Sequence, residues 1–115
     1  MGNDVKTPIN PGLSAILAEM RSRLSALYQD RLVHVLLFGS QARGDAVPGS
    51  DIDLLVILNG PVNPGQEILR TGPITSTLSL QHDVVISCTF MSTGTYAEGE
   101  SPFIQNVRRE GLLVA

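Results

Sequence analysis

Apolar residues recur at helical spacing through Leu13, Ile16, Leu17, Met20, Leu24, Leu27 and Tyr28, while Glu19, Arg21 and Arg23 fall largely elsewhere. The pattern predicts an amphipathic helix laying one stripe on a sheet. At Arg31 the rhythm changes: Val33-His34-Val35-Leu36-Leu37-Phe38 is short, partly β-branched and stopped by Gly39, as a strand ending at a tight turn would be. Ser40 to Arg43 can make one helical turn before a polar loop with Gly44, Pro48 and Gly49. Asp51 to Leu58 reads as a second strand, buried on both faces towards its end. Beyond a turn cluster at Asn59 to Gly65, Gln66 to Arg70 and Ile74 to Leu80 read as two short helices, separated by Gly72-Pro73. A third strand is expected from Asp83 to Thr89. A last helix is expected from Pro102 to Glu110, with Ser101 as its cap, Phe103, Ile104 and Val107 as its apolar stripe and Gly111 as its stop. Residues 1–12, with Pro8, Pro11 and Gly12, form a leading segment expected to be flexible. Residues 13–115 are then a single α/β (α+β) domain, a small mixed sheet of three or four strands flanked by helices.

Length and composition narrow this picture. The chain has 115 residues, 43% of them hydrophobic, enough for one core and below the usual size for two domains. Its charged content is 17% and its formal net charge is −3, so composition supplies no basic groove for nucleic acid. Cys88 is its one cysteine, which excludes an internal disulfide and a disulfide scaffold. The N-terminal MGNDVKTPINPG lacks the apolar run of a signal peptide, and no stretch approaches the roughly 18 apolar residues of a membrane span. A soluble, cytoplasmic protein is expected.

The chemistry concentrates where the second strand begins. Side chains two apart on a strand project from the same face, so Asp51 and Asp53 are neighbours. At a separation of ~7 Å and an effective dielectric of ~20 the two charges repel by roughly 2 kcal/mol, which a hard divalent cation between them would relieve. Mg²⁺ is commonly held by one or two carboxylates, with water and substrate phosphates completing its shell. Upstream, Gly39 and Ser40 stand where a strand turns into a helical turn. The exposed N–H groups and the hydroxyl there suit phosphate oxygens, and Arg43 lies one turn on. A third acid, Asp83, could approach the pair if its strand is adjacent, completing a two-metal site and deprotonating an attacking hydroxyl.

The segment FGSQARGDAVPGSDIDLLVIL resembles the signature of the DNA polymerase β-like nucleotidyltransferase superfamily in its minimal, MNT-type form. That pattern is Gly-Ser, a spacer of about ten residues, Asp-hydrophobic-Asp on a strand, and a third acid on a later strand. Gly39, Ser40, Asp51, Asp53 and Asp83 occupy those places, and the resemblance spans Val33 to Thr89, with Ser101 to Gly111 similar to the family's short C-terminal helix. It implies the polymerase β-like fold, Gly39, Ser40 and Arg43 on the nucleotide phosphates, and Asp51, Asp53 and Asp83 as catalytic metal ligands. It also implies two Mg²⁺ ions and transfer of a nucleoside monophosphate, AMP from ATP or its counterpart from another NTP, to a hydroxyl. MNT-type proteins are often antitoxins paired with HEPN-domain RNases, and some adenylylate the toxin. A HEPN-type partner or a homo-oligomer would supply the acceptor half that so short a chain lacks. The Thr71-Gly72-Pro73 interruption and the Gly/Thr/Ser-rich stretch from Met91 to Glu100 depart from the family pattern.

The competing reading is a non-catalytic antitoxin or nucleotide-binding module acting by protein contact. An aminoglycoside-type enzyme is disfavoured, because such enzymes usually carry an added substrate domain. Of the remaining polar residues, Ser50 is expected to brace the loop, Arg43 to pair with Asp45 if not with phosphate, and His34 to be structural. His82 lies beside Asp83 and could approach the site. Cys88 reads as an inert core thiol, and Arg108 and Arg109 as complements to a helix dipole. No P-loop and no zinc-ligand spacing is present.

Overall fold

A computed structural model describes residues 12–115; apart from Gly12, the leading segment lies outside the described residues. The elements run α1 (Leu13–Tyr28), a 3₁₀ turn (Gln29–Arg31), β1 (Leu32–Phe38), α2 (Ser40–Arg43), β2 (Ile52–Leu58), α3 (Pro64–His82), β3 (Ile86–Ser92), α4 (Thr93–Glu98), α5 (Pro102–Glu110) and β4 (Leu112–Leu113). The strands form one mixed sheet in the order β3-β2-β1-β4. β1 is antiparallel to β2 and β4, and β2 is parallel to β3, the connection that a crossover helix such as α3 permits.

Alternation along β2 covers both faces of the sheet. Leu54, Val56 and Leu58 pack with Ile16, Met20 and Leu24 of α1 and Leu78 of α3. Leu55 and Ile57 pack on the other face with Val107 of α5 and the partly buried Phe38, Tyr96 and Phe103. Asp51 and Asp53 share the parity of Leu55 and Ile57, so they belong to the α5 face. The predicted stripe of α1 is buried at Leu13, Ile16, Met20, Leu24 and Tyr28, while Leu27 turns outward.

Two expectations are corrected. The two short middle helices are one continuous helix of 19 residues, capped by the Asn63 side chain, with Pro73 inside it. Pro73 is exposed, and the hydroxyls of Thr71 and Thr75 donate to the carbonyls of Glu67, Thr71 and Gly72 on either side of the break. The third strand begins at Ile86, not Asp83. Within the stretch from Met91 to Glu100, Ser92 caps α4, its hydroxyl accepting from the Thr95 N–H at 3.1 Å. Arg108, in the last turn of α5 as expected, also serves α4: its guanidinium donates to the carbonyls of Tyr96, Ala97 and Gly99 and stacks 5.2 Å from the Tyr96 ring centre.

At the far end of β2 from the aspartates, Glu67 is 3% exposed, accepts from the Tyr28 hydroxyl at 2.6 Å and faces Arg31 and Arg70. Arg31 also donates to the carbonyls of Asn59 and Pro61, tying the end of α1 to the loop leading into α3. This cluster was not foreseen.

Candidate active site

The antiparallel register pairs Phe38 with Asp53, which brings the turn after β1 against the start of β2. Gly39 adopts φ 75°, ψ −157°, and a Cβ added there would lie 2.5 Å from the Asp53 Oδ2. Only glycine satisfies both conditions, the backbone conformation and the close approach. Its carbonyl accepts from the N–H groups of Ala42 and Arg43, both at 3.1 Å, closing α2 as the predicted single turn, and Gly44 ends it in the left-handed region. The first N–H groups of such a turn have no partner within it, so α2 opens with backbone donors directly after Gly39, which lies against Asp53.

The intervening loop is braced as expected. The Ser50 hydroxyl accepts from the Val47 N–H at 2.9 Å, and the buried Gln41 amide donates to the Ser50 carbonyl at 3.4 Å. Asp51 emerges exposed from this loop, and Asp53 is half-buried. Burial pushes the Asp53 carboxyl above its ordinary value, the Asp51 charge adds to the rise, and Arg43 opposes it. A carboxylate pair costly to ionise side by side, one member against a phosphate-binding turn, is a hard-oxygen donor set, and it fits Mg²⁺.

Arg43 is held by carboxylates: its Nε donates to Asp45 Oδ2 at 3.2 Å, and its Nη1 lies 3.5 Å from Glu110 Oε2. The hydrogen bond with Asp45 is the main cause of its raised pKa. Asp45 was anticipated; Glu110 was not, because nothing local in sequence links it to the turn.

The structure brings Gly39, Arg43, Asp51 and Asp53 together, with Ser40 opening α2 beside Gly39, and sets Asp83 on the wall of a neighbouring cavity with Ser50. Asp83 is exposed and caps the C-terminus of α3 in the left-handed conformation, φ 53°, ψ 50°. Aspartate tolerates that conformation better than most residues, so it can end a helix where an acid before Val84-Val85-Ile86 suggests a strand. Among the described residues, no group of three His, Cys, Asp or Glu side chains that could hold a metal ion occurs. The parallel register instead sets Ser87 beside Asp53, on the same face, since Ile86 is buried with Ile52 on the other. Ser87 was missed; the parity of β3 would have indicated it once the register was known. His82 and Asp83 line a cavity of about 400 Å³ together with Gln41, Pro48, Ser50 and Val85.

His34 has Nδ1 3.3 Å from the Ala115 carbonyl oxygen, a structural setting. Burial pushes the Cys88 thiol up to about 12, which keeps it protonated and inert. Among the described residues no helix is long and apolar enough to cross a membrane.

Comparison with known proteins points to one family. The nucleotidyltransferase domain profile matches residues 17–106. Two proteins of Methanocaldococcus jannaschii, each named as a protein adenylyltransferase, are similar. One is 36% identical over 74 residues, covering 63% of this chain and 72% of the relative. The other is 32% identical over 99 residues, covering 85% and 93%. Among solved structures, a nucleotidyltransferase from Sulfolobus solfataricus superposes with a TM-score of 0.56 at 22% identity, over 98% of this chain and 89% of that one. A toxin–antitoxin structure with AMP-PNP superposes with a TM-score of 0.61 at 17% identity, over 86% and 72%. A tri-AMPylated HEPN toxin in complex with its MNT antitoxin, from Shewanella oneidensis, gives 0.55 at 15% identity, over 89% and 71%. At these identities the solved structures speak for the fold, while the profile and the archaeal relatives speak for descent: the chain belongs to the nucleotidyltransferase family and is an enzyme of that class.

Proposed function

We propose that the protein transfers AMP from ATP, with Mg²⁺, to a hydroxyl on a partner protein, a HEPN-type toxin being the partner class best supported. The observation that carries this reading is the contact of Gly39 with Asp53, which makes the phosphate turn and the carboxylate pair one continuous surface. Gly39 and Ser40 would seat the triphosphate, Arg43 would take a phosphate oxygen through its planar fork, and Asp51 and Asp53 would hold Mg²⁺. The metal, when bound, supplies charge neutralisation at the phosphates. The acceptor oxygen attacks the α-phosphorus, the bond from that phosphorus to the pyrophosphate oxygen breaks, and pyrophosphate leaves. Positioning dominates transfers of this kind, so a scaffold of this size suffices for the nucleotide half. Asp83, on the wall of the cavity beside the loop that delivers Asp51, would serve the acceptor side by taking the hydroxyl proton.

The names of the relatives support the chemistry and the class of acceptor: protein adenylyltransferases, a toxin–antitoxin structure with AMP-PNP, and an AMPylated toxin in complex with an MNT antitoxin. The test is intact-mass measurement of a co-expressed HEPN-type partner. A gain of one or more AMP groups that depends on Asp51 and Asp53 is the expected result. An unmodified partner that is nevertheless neutralised would overturn transfer in favour of inhibition by contact.

A further inference from the structure

We infer that Glu110, at the end of α5, is a positioning residue of the nucleotide site, acting through Arg43; the inference rests on the nucleotide-binding reading of the Gly39–Ser40 turn. α5 is delivered to that turn by packing. Phe103 meets Phe38 edge-on at 5.1 Å between ring centres, and Val107 is 2% exposed against Leu55 and Ile57. The last turn of α5 therefore forms one wall of a small cavity, about 120 Å³, whose other walls include Phe38, Gly39 and Arg43.

Glu110 is out of place by the rules of its own helix. A carboxylate in the last turn meets the negative end of the helix dipole, where a cation is favoured, as Arg108 and Arg109 in the same turn illustrate. One carboxylate oxygen, Oε1, lies 3.9 Å from Arg109 Nη2, and the other reaches across the site: Glu110 Oε2 lies 3.5 Å from Arg43 Nη1, while Arg43 Nε is held by Asp45 at 3.2 Å. Two carboxylates thus restrain two edges of one guanidinium, which stands within electrostatic reach of Asp53. An arginine this exposed would otherwise sample many rotamers, and ordering it only when the triphosphate arrives would weaken binding. A surface ion pair of this kind adds little to stability, so its effect is expected in ligand affinity rather than in folding.

The test is a double-mutant cycle on the full chain, titrating AMP-PNP with Mg²⁺ by calorimetry into the wild type, Glu110→Gln, Arg43→Ala and the double variant. Glu110→Gln should weaken AMP-PNP binding about three- to tenfold, the range expected for losing the order of one long side chain. In the Arg43→Ala background the same change should have almost no effect, and thermal midpoints should stay close to the wild type. Unchanged or tighter binding by Glu110→Gln overturns the inference, as does an equal loss in both backgrounds. Wild-type protein that binds no AMP-PNP would sink the nucleotide reading itself, and the role of Glu110 with it.

Discussion

Gly39 and Asp53 define each other. With φ at 75° and a virtual Cβ 2.5 Å from a carboxylate oxygen, Gly39→Ala strains the backbone and displaces Asp53 at once. It is expected to cost on the order of 1–3 kcal/mol in denaturant unfolding and to abolish measurable nucleotide binding. Asp53 carries a complementary prediction. Its carboxyl pKa is raised in the folded state, so the stability it contributes is fully present below the unfolded value and is lost as pH rises through the folded one. Without Mg²⁺, Asp53→Asn should therefore be more stable than the wild type at neutral pH, and this difference should vanish as pH falls below about 4. Denaturant midpoints at both pH values check it, and added Mg²⁺ should narrow the neutral-pH gap. At this scale the sequence was informative wherever the geometry is local. Strand parity makes Asp51 and Asp53 neighbours, and a strand stopped by glycine marks the turn at Gly39–Ser40. Ser87 and Glu110 reach the site only through register and helix packing, which spacing along the chain does not encode.

The elements show where local rules give way to context. Gly72-Pro73 predicts a break, yet α3 runs through it, because the helix is fixed at both ends: Asn63 caps its start, and Leu78 is buried in the core near its finish. The proline still forfeits a backbone donor. Pro73→Ala, on the exposed side of the helix, should stabilise the protein by about 1–3 kcal/mol, read as a shifted denaturant midpoint with unchanged slope. A neutral result would mean the threonine hydroxyls beside the break already compensate for it. The end of α3 gives the other lesson. An acid followed by Val84-Val85-Ile86 resembles a strand opening, but Asp83 takes the left-handed conformation that closes a helix, and β3 starts three residues later. The strand β4, only two residues long, is paired through backbone to Leu36 and Leu37 and has no periodicity to announce it.

In the whole molecule, stabilising features and candidate chemistry lie at opposite ends of β2. One end carries the Tyr28–Glu67 hydrogen bond and the arginines around it, which lock α1, α3 and the loop between β2 and α3. The other end carries two carboxylates, a glycine turn and an arginine held by its neighbours, an arrangement costly to the free protein. The sheet that carries those groups is covered on one face by α1 and α3 and on the other by α5. The most direct test of this account follows labelled ATP into that acceptor. Purified chain, co-purified partner, Mg²⁺ and ATP labelled at the α- or the γ-phosphate are incubated with wild type and Asp53→Asn. Transfer of the α-label alone, reduced at least about a hundredfold by the substitution, is the predicted result; transfer of the γ-label, or α-label transfer that survives Asp53→Asn, would contradict it.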